Sequence, residues 1–176
     1  MRRLLLLSVV GVIALGAAPV LATTDQVDLS VGMKTLPLLT NKIQGSATVA
    51  IVFDPSEPAS KEEALGIKGI LEGEFTAPGD LKLSGLLVPV NELGKMAGSK
   101  IAVLTSGLNA HYDAIGSAAA TGDVLTMSTD LGCVEANKCV LGIVSKPHVQ
   151  IYFSQSAADS LHLGFSSAFL MLVHKI

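Results

Sequence analysis

The chain has 176 residues, of which 49% are hydrophobic, 15% charged and 4% aromatic, and its formal net charge is −3. This is enough apolar material for one globular core, and it excludes a disordered tail, a collagen-like chain and a multidomain assembly.

The first 22 residues have the pattern of a signal peptide. Met1–Arg3 is a positive start, Leu4–Leu15 is an apolar run, and Val20–Ala22 fits the small-residue pattern of a cleavage site, which predicts cleavage after Ala22. The alternative is a retained membrane anchor, because the apolar run can be extended to about 18 residues. Gly16 and Pro19 interrupt that run and favour cleavage.

Removing residues 1–22 leaves a single domain of residues 23–176. Both arginines lie in the signal, so this domain has ten lysines against fifteen acidic residues and a formal charge of −5. A chain without guanidinium groups and with an acidic surface is not expected to bind nucleic acid or a nucleotide. Lysines and helix N-termini can still bind a smaller anion.

The first half of the domain predicts two strands and two helices. Val31, Leu36, Leu38 and Leu39 can line a short amphipathic helix, although Pro37 weakens it. Next, Ala47–Phe53 is an apolar run rich in β-branched residues, which is typical of a strand buried on both faces of a parallel sheet.

A second helix is indicated by Ser60 and Glu63, which have the spacing of an N-terminal capping box, and by a following apolar face of Ala64, Ile67 and Leu71. The strand after it, Leu83–Val90, contains Pro89. Because proline cannot donate to a strand ladder, this strand is predicted at a sheet edge.

The second half continues the alternation of strands and helices. Its predicted elements are a strand at Lys100–Leu104, a helix at Ala110–Ala120 capped by Asn109, a strand at Val124–Ser128, a hairpin of Val140–Val144 and Val149–Phe153, and a closing helix with Phe165, Phe169, Leu172 and Ile176 on one stripe. Together these elements predict a three-layer α/β/α sandwich. Its sheet is mainly parallel in the order 2-1-3-4-5, with an antiparallel C-terminal hairpin.

The two cysteines, Cys133 and Cys139, lie in the segment CVEANKC. In the oxidising periplasm, to which the signal peptide directs the chain, they are expected to form a disulfide that clips a surface loop. A catalytic redox pair is more often C-x-x-C, and a metal site needs more ligands than the nearby Glu135.

Polar residues follow three of the predicted parallel strands. Open α/β sheets bind ligands at the carboxyl ends of their strands, where this chain has Asp54 and Ser56, Thr105 and Ser106, and Thr129 and Asp130. We treat these six residues as a candidate site for a small polar ligand. The same residues are also typical of turns and caps that satisfy loop backbone.

Catalytic motifs are absent from the sequence, which has no G-x-S-x-G, Walker A loop, G-x-G-x-x-G after the first strand, or H-E-x-x-H. His111 and Asp113 follow Thr105 and Ser106, but at a spacing of two they point to different sides of a helix. His111 is therefore expected to be a solvated first-turn residue. The other histidines, His148, His162 and His174, lack metal-ligand spacing. The sequence thus predicts a protein that is not an enzyme and uses no cofactor or metal.

The C-terminal third, in the segments VLTMSTDLGC and KCVLGIVSKPHVQIYFSQSAADSLHLGFSSAFLMLV, resembles the YfiR family of secreted bacterial proteins. The resemblance covers residues 124–176 and includes the paired alanines Ala157 and Ala158, Leu163, and the serines Ser166 and Ser167. It implies a periplasmic regulator that binds the sensory domain of an inner-membrane diguanylate cyclase and holds the cyclase inactive. Family members usually begin with an aromatic helix ending in Trp-Pro, whereas this chain has TLPLLTNKI and no tryptophan.

Two functions follow as expectations. The first is a regulatory protein that docks to a membrane sensor through an exposed apolar patch, which requires that some of Phe165, Phe169 and Met171 lie outside the core. The second is a single-lobe periplasmic solute-binding module that uses the strand-end polar residues. The sequence leaves the oligomeric state open, a homodimer included.

Overall fold

A single mixed sheet organises the chain in the computed structural model, which describes residues 23–73 and 75–176. Its strand order is β2-β1-β3-β4-β5-β6-β7. The strands are β1 (Ser46–Phe53), β2 (Lys82–Pro89), β3 (Ile101–Leu104), β4 (Leu125–Ser128), β5 (Leu141–Val144), β6 (Gln150–Phe153) and β7 (His174–Lys175). Neighbouring strands are parallel except β5 and β6, which form the antiparallel pair. The signal peptide and its cleavage site after Ala22 lie outside the described residues.

Helices cover both faces of this sheet. They are α1 (Gln26–Met33), α2 (Pro58–Glu72), α3 (Tyr112–Thr121), α4 (Leu131–Glu135), α5 (Gln155–Ser160) and α6 (Ser167–Leu170). Short 3-10 turns lie at Leu36–Leu38, Pro78–Asp80, Val90–Met96 and Asn109–His111. The crossovers through α2 and α3 run in opposite directions along the sheet, and right-handed crossovers therefore place these two helices on opposite faces.

The predicted α/β/α architecture is confirmed. The first five strands have the order 2-1-3-4-5, and β5 and β6 pair as the expected antiparallel hairpin. β2, which ends at Pro89, lies at one edge of the sheet. The central strands β1 and β3 are buried along almost their whole length, as a continuous apolar run requires when helices cover both faces. Among the described residues, no helix combines the length and the hydropathy needed to cross a bilayer.

The predicted disulfide is present between Cys133 and Cys139. Both cysteines are fully buried; Cys133 lies within α4, and Cys139 lies in the segment that leads to β5. This bond fixes the connection between β4 and β5.

The helix predicted at the C-terminus is wrong beyond Leu170. Phe165 and Phe169 do pack together and against Phe153. The following residues, however, leave the helix and form β7, and the backbone N–H of Ile176 donates to the carbonyl of Phe153 at 3.0 Å. The spacing of the apolar residues fitted a helix, but the open edge of β6 supplies backbone hydrogen bonds that the spacing does not record.

Two helix starts and one helix end also differ from the sequence prediction. α2 begins at Pro58, so Ser60 and Glu63 are buried inside the helix and form no capping box. Proline suits the first helical position because its missing N–H is not needed there. Asn109 lies in a 3-10 turn and does not cap α3. The first helix ends at Met33, before Leu36, and is capped by Asp25.

Candidate functional site

The six candidate site residues lie along one edge of the sheet. The strand register pairs Val52 with Leu104 and Leu104 with Ser128, so that β1, β3 and β4 end side by side. The residues that follow these strands therefore emerge as neighbours. We call this set, Asp54, Ser56, Thr105, Ser106, Thr129 and Asp130, the carboxyl edge.

Glu63 of α2 is the central acceptor at the carboxyl edge. Its side chain is buried, and Oε1 accepts hydrogen bonds from the backbone N–H and the hydroxyl of Thr24 at 2.9 and 2.7 Å. Oε2 accepts from the backbone N–H of Ser106 at 2.9 Å. Glu63 thus joins the N-terminal segment to the loop after β3. This role could not be predicted from the sequence, because a glutamate three residues after a serine fits a helix cap equally well.

Ser60 of α2 connects the ends of β1 and β3. Its hydroxyl accepts from the backbone N–H of Asp54 at 2.9 Å and shares a hydrogen bond with the hydroxyl of Thr105 at 2.7 Å. The Thr105 hydroxyl also lies 3.1 Å from the carbonyl oxygen of Val52. Both hydroxyls are buried, so the Thr105 hydroxyl forms hydrogen bonds inside the fold and is not presented at the surface.

Asp54 remains partly exposed and forms a small polar cluster with Ser56 and His111. The hydroxyl and the backbone N–H of Ser56 donate to Oδ1 at 2.6 and 2.8 Å, and His111 Nε2 lies 3.2 Å from Oδ2. These hydrogen bonds, those of Ser56 first, hold the pKa of Asp54 below its usual value of 3.8. The carboxylate is therefore ionised at neutral pH. His111, expected to be solvated, faces this carboxylate with about a third of its side chain exposed.

Asp130 and Thr129 occupy the far end of the carboxyl edge. Asp130 Oδ1 accepts from the backbone N–H of Gly132 and caps α4, while Oδ2 accepts from the hydroxyl of Tyr112 at 3.0 Å. Burial and the Asp130 carboxylate raise the pKa of Tyr112. The Thr129 hydroxyl lies 3.1 Å from that of Thr24. Both candidate residues thus have partners inside the fold.

His111 and Asp113, which follow Thr105 and Ser106 in the sequence, have separate partners and do not form one catalytic cluster with them. Asp113 Oδ1 lies 2.5 Å from the ammonium of Lys138, and His111 pairs with Asp54 instead. Across residues 23–73 and 75–176, no cluster of three or more His, Cys, Asp or Glu side chains has the arrangement to hold a metal ion.

The carboxyl edge has little internal space. The cavity beside Thr24, Thr129 and Ser128 measures about 10 Å³, which is room for at most about one water molecule. The polar atoms of the carboxyl edge are mostly hydrogen-bonded to one another. A molecule that binds there therefore contacts a surface with the partly exposed Asp54 and Asp130 and the exposed Ser56. This arrangement suits surface recognition better than enclosure.

A second feature lies beside β7, the strand at the opposite side of the sheet from β2. Val149 directly precedes β6, and Met171 and Leu172 precede β7; their relative exposures are 58%, 79% and 74%. β6 and β7 run parallel, which places the residues before each strand at the same end of this edge. We call these three side chains the apolar patch. By contrast, Phe169 is buried and Phe165 packs against it, so only Met171 of the three residues considered from sequence is free of the core.

No family model matches the chain, and neither does any curated protein. Its fold is similar to that of a conserved domain protein from Vibrio cholerae, with a TM-score of 0.55 and 14% identity, covering 85% of this chain and 59% of that one. It is also similar to the ligand-free, open structure of a substrate-binding protein with adhesive properties from Clostridium difficile, with a TM-score of 0.59 and 12% identity, covering 85% and 58%.

This chain therefore spans less than two thirds of the length of either protein. At such identities the likeness establishes the fold, and function has to be argued from the site.

Proposed function

We propose that the protein is an exported, non-enzymatic regulator that docks to a partner protein through the apolar patch. The observation that carries the proposal is the exposure of Met171 and Leu172, adjacent in sequence, next to the outer edge of β7, which pairs with no other strand in residues 23–73 and 75–176. Exposed apolar side chains contribute binding energy when a partner covers them, and an open strand edge can pair with a partner strand.

The partner that we propose is the sensory domain of an inner-membrane diguanylate cyclase. This part of the proposal rests on the resemblance of residues 124–176 to the YfiR family. The disulfide between two buried cysteines supports the oxidising compartment that such a partner requires.

Site-specific photocrosslinking in living cells tests the docking. A photoreactive phenylalanine analogue at Leu172 is expected to form an adduct with a membrane protein that carries a cytoplasmic diguanylate cyclase domain. The matched control is Leu65 of α2, an apolar residue that is 52% exposed and remote from the patch. The same adducts from both positions, or an adduct only with unrelated proteins, would contradict the proposal.

A functional readout complements the crosslink. Leu172→Asp is expected to weaken docking, because a carboxylate in an apolar interface loses its hydration without gaining a partner. If the protein holds the cyclase inactive, cellular cyclic di-GMP rises in Leu172→Asp and stays at the wild-type level in Leu65→Asp. An unchanged thermal midpoint for both variants shows that folding is intact.

Export is tested separately by the mass of the protein isolated from the periplasm. Cleavage after Ala22 predicts a mature chain that begins at Thr23. A membrane-bound chain that retains residues 1–22 would support the anchor alternative and would place the domain at the membrane surface.

A second proposal is a single-lobe solute-binding module that uses the carboxyl edge. It is supported by the likeness in fold to a substrate-binding protein and by the partly exposed carboxylates of Asp54 and Asp130. These anionic groups favour a ligand with an ammonium group. Thermal-shift measurements with free amino acids test it: a stabilisation that disappears in Asp130→Asn but persists in Asp159→Asn, an exposed control, would support this function.

A further inference from the structure

A larger cavity lies at the other end of the sheet, where the strands begin. It measures about 370 Å³. Its floor is formed by Ser46 at the start of β1, Lys100 before β3 and Leu125 at the start of β4. Residues 41–44 form one wall, and His162 with Leu163 forms the other. Its volume falls within the usual range of small-molecule sites, about 300–1,000 Å³. We call it the amino-edge cavity.

Backbone contacts between the two wall segments hold the shape of this cavity. The N–H of Thr40 donates to the carbonyl of Gly164 at 2.9 Å, and the N–H of Ser166 donates to the carbonyl of Leu38 at 2.8 Å. The segments approach so closely that a Cβ at Gly164 would lie 2.5 Å from the Thr40 hydroxyl oxygen. These contacts therefore fix the spacing of the two segments beside the cavity.

Two residues in its lining have unusual backbone conformations. Asp123 and His162 have φ values of +49° and +51°, in the left-handed region that non-glycine residues seldom adopt. Their side chains lie together in the lining of the cavity, with His162 Nδ1 3.1 Å from Asp123 Oδ1. Residues held in this region cluster at functional sites, because the surrounding structure has to compensate the strain.

The charges around the cavity are unbalanced. The ammonium groups of Lys42 and Lys100 meet no carboxylate within ion-pair distance in the described part of the chain, and the lining sets the single carboxylate of Asp123 against these two ammonium groups. A local excess of positive charge therefore lies in a domain that is acidic as a whole. An anionic group entering the cavity would be attracted to both lysines.

The rest of the lining is partly apolar. Ile43, Leu125 and Leu163 contribute hydrocarbon surface, and Asn41 and Gln44 contribute side-chain amides. A ligand that matches this lining has one anionic head and a compact apolar body. An inorganic anion can contact the lysines but offers no apolar surface to the rest of the lining.

We propose that the amino-edge cavity binds a small organic carboxylate with an apolar body, and that Lys42 and Lys100 recognise its carboxylate. The site is at the opposite end of the strands from the carboxyl edge and depends on neither function proposed above.

Nuclear magnetic resonance titration of the folded domain tests the site, with benzoate as the probe and benzamide as its uncharged counterpart. Benzoate is expected to shift the backbone amide signals of residues 41–44, 123–125 and 162–163, and to bind about tenfold more tightly than benzamide. Inorganic phosphate, which lacks the apolar body, is expected to bind more weakly than benzoate.

Lysine variants distinguish this site from general attraction of anions. Lys100→Gln and Lys42→Gln are each expected to weaken benzoate binding about threefold or more. Lys61→Gln is the matched control, because Lys61 is exposed on α2 beside the carboxyl edge. Two variants keep the test decisive if one does not fold.

Several results would overturn the proposal. They are the same affinity for benzoate and benzamide, equal or tighter binding of phosphate, shifts confined to other residues, an equal loss in Lys61→Gln, or no shift at about 20 mM benzoate, where sites of useful affinity are already filled.

Discussion

The carboxylate of Glu63 accepts two hydrogen bonds from Thr24, one from the backbone N–H at 2.9 Å and one from the hydroxyl at 2.7 Å. The other oxygen of the same carboxylate accepts a third hydrogen bond, from the backbone N–H of Ser106. One buried side chain thereby ties the start of the domain and the loop after β3 to the start of α2.

Glu63→Ala is expected to lower the free energy of unfolding by about 2–4 kcal/mol, because hydrogen bonds to a charged group are lost and buried donors are left without an acceptor. Urea denaturation measures the change. Glu62→Ala, at an exposed position on the same helix, is expected to change stability by less than about 0.5 kcal/mol. An equal loss in both variants would show that Glu63 stabilises only the helix.

The Asp54 cluster predicts a pH dependence. Since the pKa of Asp54 is lowered in the folded state, chiefly by the Ser56 hydroxyl, its contribution to stability is present above the ordinary value of 3.8 and is lost as the pH falls through the folded value. A ¹³C titration of the Asp54 carboxyl should show this lowered pKa. Ser56→Ala should raise it towards the ordinary value, while Ser117→Ala, remote from the cluster, should leave it unchanged.

Unfolding measured at several pH values checks the same group independently. The loss of stability between pH 7 and pH 3 is expected to be smaller in Asp54→Asn than in the wild type, because the amide does not titrate. An identical pH dependence in the two proteins would contradict this assignment.

Gly142 of β5 lies directly beneath α4. A Cβ at this position would lie 2.6 Å from Val134 Cγ1 and 2.8 Å from Leu131 Cδ2. Gly142→Ala is therefore expected to destabilise the domain by about 1–3 kcal/mol through overpacking. Gly66→Ala, in the exposed part of α2 with no heavy atom within 4 Å of the added Cβ, is expected to stabilise it by about 0.5–1 kcal/mol. Thermal unfolding should give shifts of opposite sign, and two shifts of the same sign would contradict the packing argument.

The disulfide closes a short loop, with a sequence separation of 6 between Cys133 and Cys139. On the chain-entropy account, breaking it should lower the free energy of unfolding by about 2 kcal/mol. Urea denaturation with and without dithiothreitol measures this difference. The double variant Cys133→Ala, Cys139→Ala should show no response to the reductant, and a response there would reveal an effect unrelated to the disulfide.

Much of the fold could be predicted from local patterns. The apolar run of β1 indicated a strand covered on both faces, and Pro89 indicated the edge position of β2, because both effects depend on the immediate surroundings of a few residues. The two cysteines likewise predicted their own bond once export was assumed. The positions of the strand ends then followed from topology, which is why the six carboxyl-edge residues were found together.

The partners of those residues could not be predicted in the same way. Ser60 and Glu63 fit a capping box locally, and only the folded chain shows that they bond to Thr24, Asp54, Thr105 and Ser106 across the sheet edge. The closing helix was likewise replaced by β7, because the edge of β6 offers hydrogen bonds that exist only after the sheet has formed.

By itself the sequence determined β1 to β6, the edge proline and the cysteine pair, because each is encoded by the composition and spacing of neighbouring residues, and the order of the first five strands followed from the general rules of α/β topology. Only the tertiary structure decided what Glu63 binds, where Met171 and Leu172 emerge, and that Lys42, Lys100, Asp123 and His162 surround one cavity. Those relationships join residues far apart in the chain, and their distances are fixed by packing rather than by sequence separation.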